Sequence, residues 1–301
     1  MDNVLYDIAI IGAGPAGMTA AIYAGRAGKK AVIFDKDGFG GQIAKSPKVE
    51  NIPGFLEISG ADFAEKMYEQ MMSLPNVNHI MEEVKLLQYK HGMIFCGLKD
   101  GSFICSRSLI IAVGSKPREL KLDTKNIYYC VTCDGPFFKG QDVIVVGSGN
   151  TGVAFALELA TYCHHVYVCD ITMKPMCEAI AADKLAKAKN ITFLPNCTIA
   201  SVKNDTDGNL ESAITSIGNT IPAKAIFGAA GMIPQTKSIS SSFVRKDPQG
   251  YFISNDCETG LVPGIFVAGD CRQKAIRQVT TAVSDGTTAA IKAMNFLNGR
   301  K

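Results

Sequence analysis

Apolar runs that end in glycine punctuate this chain. Tyr6–Gly12 (YDIAIIG) is a strand-length apolar stretch that runs into Gly12-Ala13-Gly14-Pro15-Ala16-Gly17. An Ala-rich run, Met18–Gly25, follows with helical character, and a second apolar strand, Ala31–Phe34, ends at Asp35. The same order returns downstream. Asp142–Gly147 (DVIVVG) enters Gly147-Ser148-Gly149-Asn150-Thr151-Gly152, Val153–Ala160 reads as the helix, and the strand Val166–Cys169 ends at Asp170. The acid stands at the same distance from the first glycine in both copies. This internal repeat predicts two units of strand, glycine turn, helix and strand.

Further apolar runs complete the layout. Ser108–Gly114 (SLIIAVG) and Ala225–Gly231 (AIFGAAG) read as strands that return to a glycine turn near a ligand, which makes Ala112 and Gly114 candidate binding positions. Lys116–Lys125 and Ile239–Pro248 are polar and aperiodic, and read as linkers. Strands at Tyr251–Ser254 and Gly264–Asp270 and an Ala-rich helix at Val283–Asn298 close the chain. The expected fold is α/β, with two Rossmann-like three-layer domains, the second inserted into the first. Residues 1–116 and 245–301 form the split domain, and 117–244 the inserted one.

A lone GxGxxG says little, but here each copy follows a strand, opens a helix and is answered by an acid. The first glycine permits the tight turn and the second lets backbone approach a pyrophosphate. The third lets helix and strand pack closely, while the helix N-terminus offers unpaired N–H groups to phosphate. Gly12, Gly14, Pro15 and Ala16 are thus candidates to hold one dinucleotide, with Asp35 on its ribose. Gly147, Gly149, Asn150, Thr151 and Asp170 are candidates for a second. The competing reading is a doubly wound fold with no ligand at one or both loops.

Composition narrows the class. The chain has 301 residues, 47% apolar and 20% charged, with a formal net charge of only +3. No basic run marks a nucleic-acid or membrane partner. Asp2 and Asp7 stand where a secretory leader would carry basic residues. Ile8–Gly25 is uncharged and long enough to cross a membrane, but its glycines and Pro15 favour strand, turn and helix. Ten cysteines are scattered, and only Cys130 and Cys133 have CxxC spacing. That pattern suits a reducing cytoplasm, with most other cysteines acting as small buried apolar residues. The CxxC pair has three readings: redox exchange, zinc binding, or no chemistry. Structural zinc needs four ligands, and neither a second CxxC nor a well-spaced Cys/His set exists, so no metal is expected.

At this point the motifs resemble those of the low-molecular-weight thioredoxin reductases. The shared pieces are GAGPAG at Gly12–Gly17, GGQI at Gly40–Ile43, VENIPGF at Val49–Phe55, CVTCDGPFF at Cys130–Phe138, GIFVAGD at Gly264–Asp270, and Arg277-Gln278. The resemblance runs nearly the full length. It implies FAD in the split domain, contacted by Gly14, Ala16, Gly41, Gln42, Asn51, Asp270, Arg277 and Gln278, with Gly269 and Val279 beside them. It implies that Cys133 is the thiol next to the flavin, Cys130 the thiol that attacks a thioredoxin-like partner, and Asp134 the proton donor and acceptor. It also implies a homodimer, and rotation of the inserted domain about hinges near Lys116–Lys125 and Phe243–Asp247.

One departure bears on the electron donor. Members that use NADPH carry an HRRxxxR pattern whose arginines grip the 2′-phosphate. Here those positions hold Asp170, Ile171, Thr172 and Met176, and no arginine occurs between Glu119 and Val244. Asp170 repels a 2′-phosphate and suits a free hydroxyl. The reading therefore favours NADH or ferredoxin over NADPH. Lys116, Arg118, Lys121, Lys125 and Lys139 form a basic set that suits an acidic ferredoxin, or else an ordinary solvated face. The family's acidic pair after the second glycine loop is replaced by Ala154-Phe155. Two other functions compete: an FAD-dependent dithiol oxidase that uses oxygen, marked by peroxide release, and a non-catalytic FAD-bearing redox module, marked by failure to reduce any disulfide.

Overall fold

The computed structural model describes residues 5–46 and 48–299. The chain forms two compact units: 5–44, 49–116 and 233–299 make one, and Lys45–Lys48 with Pro117–Met232 the other. Each is α/β.

In the first unit, β1 (Leu5–Ile11) leads through the glycine turn into α1 (Pro15–Arg26) and β2 (Ala31–Phe34), followed by α2 (Gly60–Met72) and β3 (Val77–Ile80). Then come β4 (Leu86–Lys90), β5 (Met93–Gly97) and the long β6 (Phe103–Ile111). The sheet order is β3-β2-β1-β6-β5-β4, parallel from β3 to β6 and antiparallel beyond. From Ile8 to Ile11, β1 is continuously apolar because both its faces are covered. Ile8 and Ile10 join a core with Met18 of α1, while Tyr6, Ala9 and Ile11 join another with Phe34, Ile94 and Phe252. Each such isoleucine contributes about 1.5–3 kcal/mol of burial.

The chain leaves this unit through β7 (Ser115–Pro117). The second unit holds β8 (Ile127–Tyr128), the short α3 (Val131–Asp134), β9 (Asp142–Val146), α4 (Asn150–Leu159), β10 (His165–Cys169), α5 (Ala179–Lys187) and β11 (Ile191–Leu194). β12 (Ile199–Asn204), β13 (Leu210–Thr215) and β14 (Thr220–Pro222) form an antiparallel sheet, and β15 (Ala225–Gly228) returns to the parallel one, ordered β11-β10-β9-β15-β8. The third layer here is therefore a sheet: Ile199, Leu210, Ala213 and Ile221 pack against Ile144, Val146 and Cys169. The chain goes back through β16 (Met232–Pro234), which pairs with β7. β17 (Ile265–Val267) then joins β6, and α6 (Val279–Asn298) closes the unit.

The second crossing differs from the sequence expectation. It falls at Met232, not at 244. Ile239, Phe243 and Val244 are buried in the core with Phe252. Phe243–Asp247 is no free hinge either: Lys246 Nζ donates to the carbonyls of Thr236 and Ile239, both at 2.7 Å. The expected strand Tyr251–Ser254 is reduced to isolated bridges at Phe252, and α6 begins four residues earlier than its apolar pattern.

Candidate active site: two glycine loops and a redox pair

At the first loop, Gly12 has φ +106°, and a Cβ there would stand 2.3 Å from the carbonyl oxygen of Ala112. A Cβ on Gly17 would stand 1.8 Å from the Gly12 carbonyl oxygen. Only Gly fits either position. Gly14, by contrast, faces open space, with nothing within 4 Å of a would-be Cβ. It precedes α1 without any side-chain cap, and Pro15 occupies the first turn, so helix N–H groups remain for a ligand. Asp35 accepts from the backbone N–H of Ala13 (2.7 Å) and of Asp37 (3.0 Å), half of what a carboxylate can accept.

Other candidates gather around this loop. Gly40 N–H donates to the Ala13 carbonyl (2.8 Å), which brings Gly41 against Gly14; Gln42 follows in the short 3-10 helix Gly41–Lys45. Ala16 is squeezed from two sides. A Cβ on Gly269 would lie 2.9 Å from its methyl, and one on Gly286 of α6 would lie 2.2 Å from its carbonyl oxygen. Asp270 follows Gly269. Its Oδ1 is buried without a hydrogen-bond partner, and the Lys274 ammonium lies 3.6 Å away. Burial pushes the Asp270 carboxyl above the usual range, against the pull of Lys274 and Arg277. The Arg277 guanidinium lies 3.9 Å over the Tyr251 ring, with its Nε buried and unpaired. Asn51 Nδ2 donates to Gln278 Oε1 (3.4 Å), and Val279 opens α6. A glycine cradle, a part-empty ribose acceptor and two orphaned polar groups fit FAD.

The second loop repeats the backbone almost to the tenth of an ångström. Gly147 has φ +109° and a would-be Cβ 2.3 Å from the Ala229 carbonyl oxygen; on Gly152 it would be 1.9 Å from that of Gly147. The acid behaves differently. Asp170 Oδ2 accepts from the Ser148 N–H and from Ser148 Oγ (2.7 Å), and Oδ1 accepts from the Thr172 N–H and Oγ1, both at 2.9 Å. Burial alone would raise the Asp170 carboxyl; these bonds outweigh it and hold it below the usual range. The two N–H groups and the Ser148 hydroxyl fill three acceptor positions, and the Thr172 hydroxyl shares its one proton between Asp170 and the Lys174 carbonyl (2.8 Å). Asn150 Oδ1 is also engaged, by the Glu178 N–H (2.8 Å), and Met176 N–H donates to the Ser148 carbonyl (2.9 Å). Thr151 is exposed in the first turn of α4, and Ile171, Met173 and Met176 are exposed around the loop.

Cys130 and Cys133 are joined as a disulfide. Cys130 caps α3, and the Cys133 N–H donates to its Sγ (3.2 Å), which stabilises negative charge on that sulfur once the bond is opened. Cys130 is buried and Cys133 exposed. Asp134 is part-buried, and burial pushes its carboxyl up. The other eight cysteines are free, six of them buried. Among the described residues no His, Cys, Asp and Glu group is arranged for a metal ion, and no helix is long and apolar enough to cross a membrane.

Three residues at the first site carried no clear motif: Tyr251 under Arg277, Lys274, and Asp285 of α6. Asp285 had one signal, a lone acid in the Ala/Thr-rich first half of a helix that must be largely buried.

The comparisons agree with this geometry. Residues 6–286 match the pyridine nucleotide-disulphide oxidoreductase family. A thioredoxin reductase of Listeria monocytogenes is 33% identical over 313 residues, covering 100% of this chain and 96% of the relative. A Clostridium pasteurianum protein described as a 34.2 kDa protein in rubredoxin operon is 35% identical over 306 residues, 98% of each chain. The solved thioredoxin reductase of Lactococcus lactis aligns with a TM-score of 0.92 at 31% identity, over 98% of this chain and 99% of its own. The chain therefore belongs to the pyridine nucleotide-disulphide oxidoreductase family, as an FAD-dependent oxidoreductase that resembles the low-molecular-weight thioredoxin reductases along its whole length.

Proposed function

We propose that this protein is a thioredoxin reductase whose Cys130–Cys133 pair carries electrons to a thioredoxin. The disulfide itself, with an N–H on the Cys130 sulfur and Asp134 next in the chain, is the observation that supports this most. FAD, when bound, supplies the two electrons that open the disulfide. Gly12, Gly14, Pro15, Ala16 and Gly41 hold its pyrophosphate region, Asp35 a ribose and Asp270 a ribitol hydroxyl. Gln42, Asn51, Ala112, Gly114, Gly269, Arg277, Gln278 and Val279 complete that wall.

The exchange balances within the four sulfurs. The Cys130 thiolate attacks the partner's disulfide, forming a mixed disulfide and expelling a partner thiolate. Cys133 then attacks Cys130, restoring the intramolecular bond and releasing the second partner sulfur. Asp134 gives the first expelled thiolate its proton and takes one back from the Cys133 thiol as it attacks, so the second partner sulfur leaves as a thiolate. Cys130 is the buried member, so attack on a protein needs the surroundings of the pair to open. Because burial raises the Asp134 carboxyl, it keeps its proton to higher pH than an exposed acid. Proton delivery is present below its pKa and lost as pH rises through it. Asp134→Asn is expected to slow thioredoxin reduction by about a hundredfold and to remove that alkaline limb from the pH–rate profile. An unchanged limb would assign the proton to another group.

The donor is NADH or reduced ferredoxin rather than NADPH. The donors crowded on Asp170 favour ferredoxin, because a nicotinamide ribose would have to compete with Ser148 and Thr172 for its oxygens. The name of the Clostridium relative, which sets it beside a rubredoxin, is in keeping with a small iron-containing electron carrier. The protein is expected to work as a homodimer. Anaerobic bleaching of the flavin band near about 450 nm tests the donor. Reduced ferredoxin is expected to bleach it, with NADPH inert. Bleaching by NADH would make Asp170 a ribose ligand after all, and rapid bleaching by NADPH would overturn this assignment.

A further inference from the structure

Asp285 lies on the second turn of α6, far in sequence from any glycine loop, yet its carboxylate gathers three donors from one distant segment. Its side chain is 13% exposed. Oδ2 accepts from the Gly269 N–H (3.0 Å) and from Lys274 Nζ (3.0 Å), and Oδ1 accepts from Arg272 NH1. These three donors belong to one short segment. Gly269 immediately precedes Asp270, and Arg272 and Lys274 follow it. One carboxylate thus ties the segment on both sides of Asp270.

The two cations are fixed in turn. Arg272 Nε donates to Ser254 Oγ (2.9 Å) and its NH1 reaches Cys257 Sγ (3.2 Å). Lys274 Nζ also meets Thr281 Oγ1 (3.3 Å), a member of the capping box that starts α6. Arg277 NH2 donates to the Arg272 carbonyl (3.1 Å), so the arginine expected beside the flavin hangs on the same segment.

We propose that Asp285 is a positioning residue for FAD. It holds the Gly269 turn against Ala16 and draws the Lys274 ammonium away from Asp270, leaving Asp270 Oδ1 free for a ligand hydroxyl. The distances carry the second half of this: Lys274 is 3.0 Å from Asp285 and 3.6 Å from Asp270. Without the Asp285 charge the ammonium turns to the remaining carboxylate and competes with FAD for it. The inference rests on Asp270 facing FAD, as proposed above.

The test compares FAD dissociation constants of purified apoprotein variants, measured by flavin fluorescence, with far-UV circular dichroism to check folding. Asp285→Asn is expected to weaken FAD binding by about ten- to a hundredfold, since small displacements of a binding group cost about that much. Its bound flavin spectrum is expected to shift. Asp270→Asn separates the two ideas. If Asp270→Asn weakens FAD and Asp285→Asn leaves it within twofold, Asp285 merely stabilises the fold and the proposal is overturned. If neither changes affinity, Asp270 does not face FAD, and the proposal falls with that assignment. Should Asp285→Asn not fold, Asp285→Glu serves instead, because it keeps the charge while shifting the Gly269, Arg272 and Lys274 contacts, and it should weaken FAD about tenfold. The charged groups facing Asp270 are Lys274, Arg277 and Asp285. Adding Lys274→Met to either Asp285 variant removes the ammonium that competes for Asp270 and should recover part of the lost affinity. Wild-type affinity in Asp285→Glu, or no recovery on adding Lys274→Met, would equally overturn it.

Discussion

Cys130→Ser and Cys133→Ser are each expected to cut thioredoxin reduction by about a thousandfold or more, while leaving flavin bleaching by the donor intact. A disulfide cycle needs both sulfurs, and no other cysteine pair has CxxC spacing, so neither loss can be bypassed. The two variants should fail differently. Cys133→Ser keeps the Cys130 thiol, with its backbone N–H contact to residue 133, and lacks the sulfur that resolves the mixed disulfide. It should therefore trap a partner covalently. Cys130→Ser keeps only Cys133 and should not. Mass spectrometry of each variant after incubation with oxidised thioredoxin reads this directly. Trapping by Cys130→Ser alone would exchange the two roles, an outcome worth excluding because Cys133 is the exposed residue here. Turnover with both variants would reject the dithiol mechanism.

Gly17→Ala and Gly152→Ala should each cost about 3 kcal/mol or more, and only the first should empty the protein of FAD. The added methyl would stand 1.8 Å from the Gly12 carbonyl oxygen in one unit and 1.9 Å from the Gly147 carbonyl oxygen in the other. Backbone cannot yield the missing distance without moving helix from strand, so the overpacking cost lies at the upper end of its usual range. The chemical change is the same, and the strand, turn and helix around it are the same. What differs is the ligand. Flavin content after purification, with calorimetric melting of the variants, separates the two effects. Loss of FAD from Gly152→Ala at unchanged first-unit stability would mean that the second loop takes part in flavin binding.

Much of this architecture is legible in the chain because both faces of the central strands are covered. Ile8–Ile11 of β1, the whole of β2 and Val143–Val146 of β9 are apolar without alternation, and β1 and β9 each run into a glycine loop. The strands that escaped notice lack that signature. β4 and β5 are partly exposed and turn through His91-Gly92, a weaker hairpin mark than Asn-Gly. In β12 the exposed polar residues hide how few side chains point inward. Ile239, Phe243 and Val244 are core residues scattered among serines at no regular period, so they read as linker.

The candidate site divides along similar lines. Its glycines follow from local stereochemistry and can be read in sequence. The contacts of Asp285 join α6 to a loop ten or more residues away, and nothing local announces them. Asp35 and Asp170 look alike in sequence, at equal spacing from their glycines, and only hydrogen-bond partners tell them apart.

That contrast has a consequence for any nucleotide meeting the second unit. The hydroxyls of Ser148 and Thr172 sit on Asp170 where the two hydroxyls of a ribose would bind. They are tethered within a few bonds of their acceptor, so their effective concentration far exceeds that of any dissolved metabolite. An incoming ribose would have to displace both, and would leave the Ser148 hydroxyl without its acceptor while Thr172 keeps the Lys174 carbonyl.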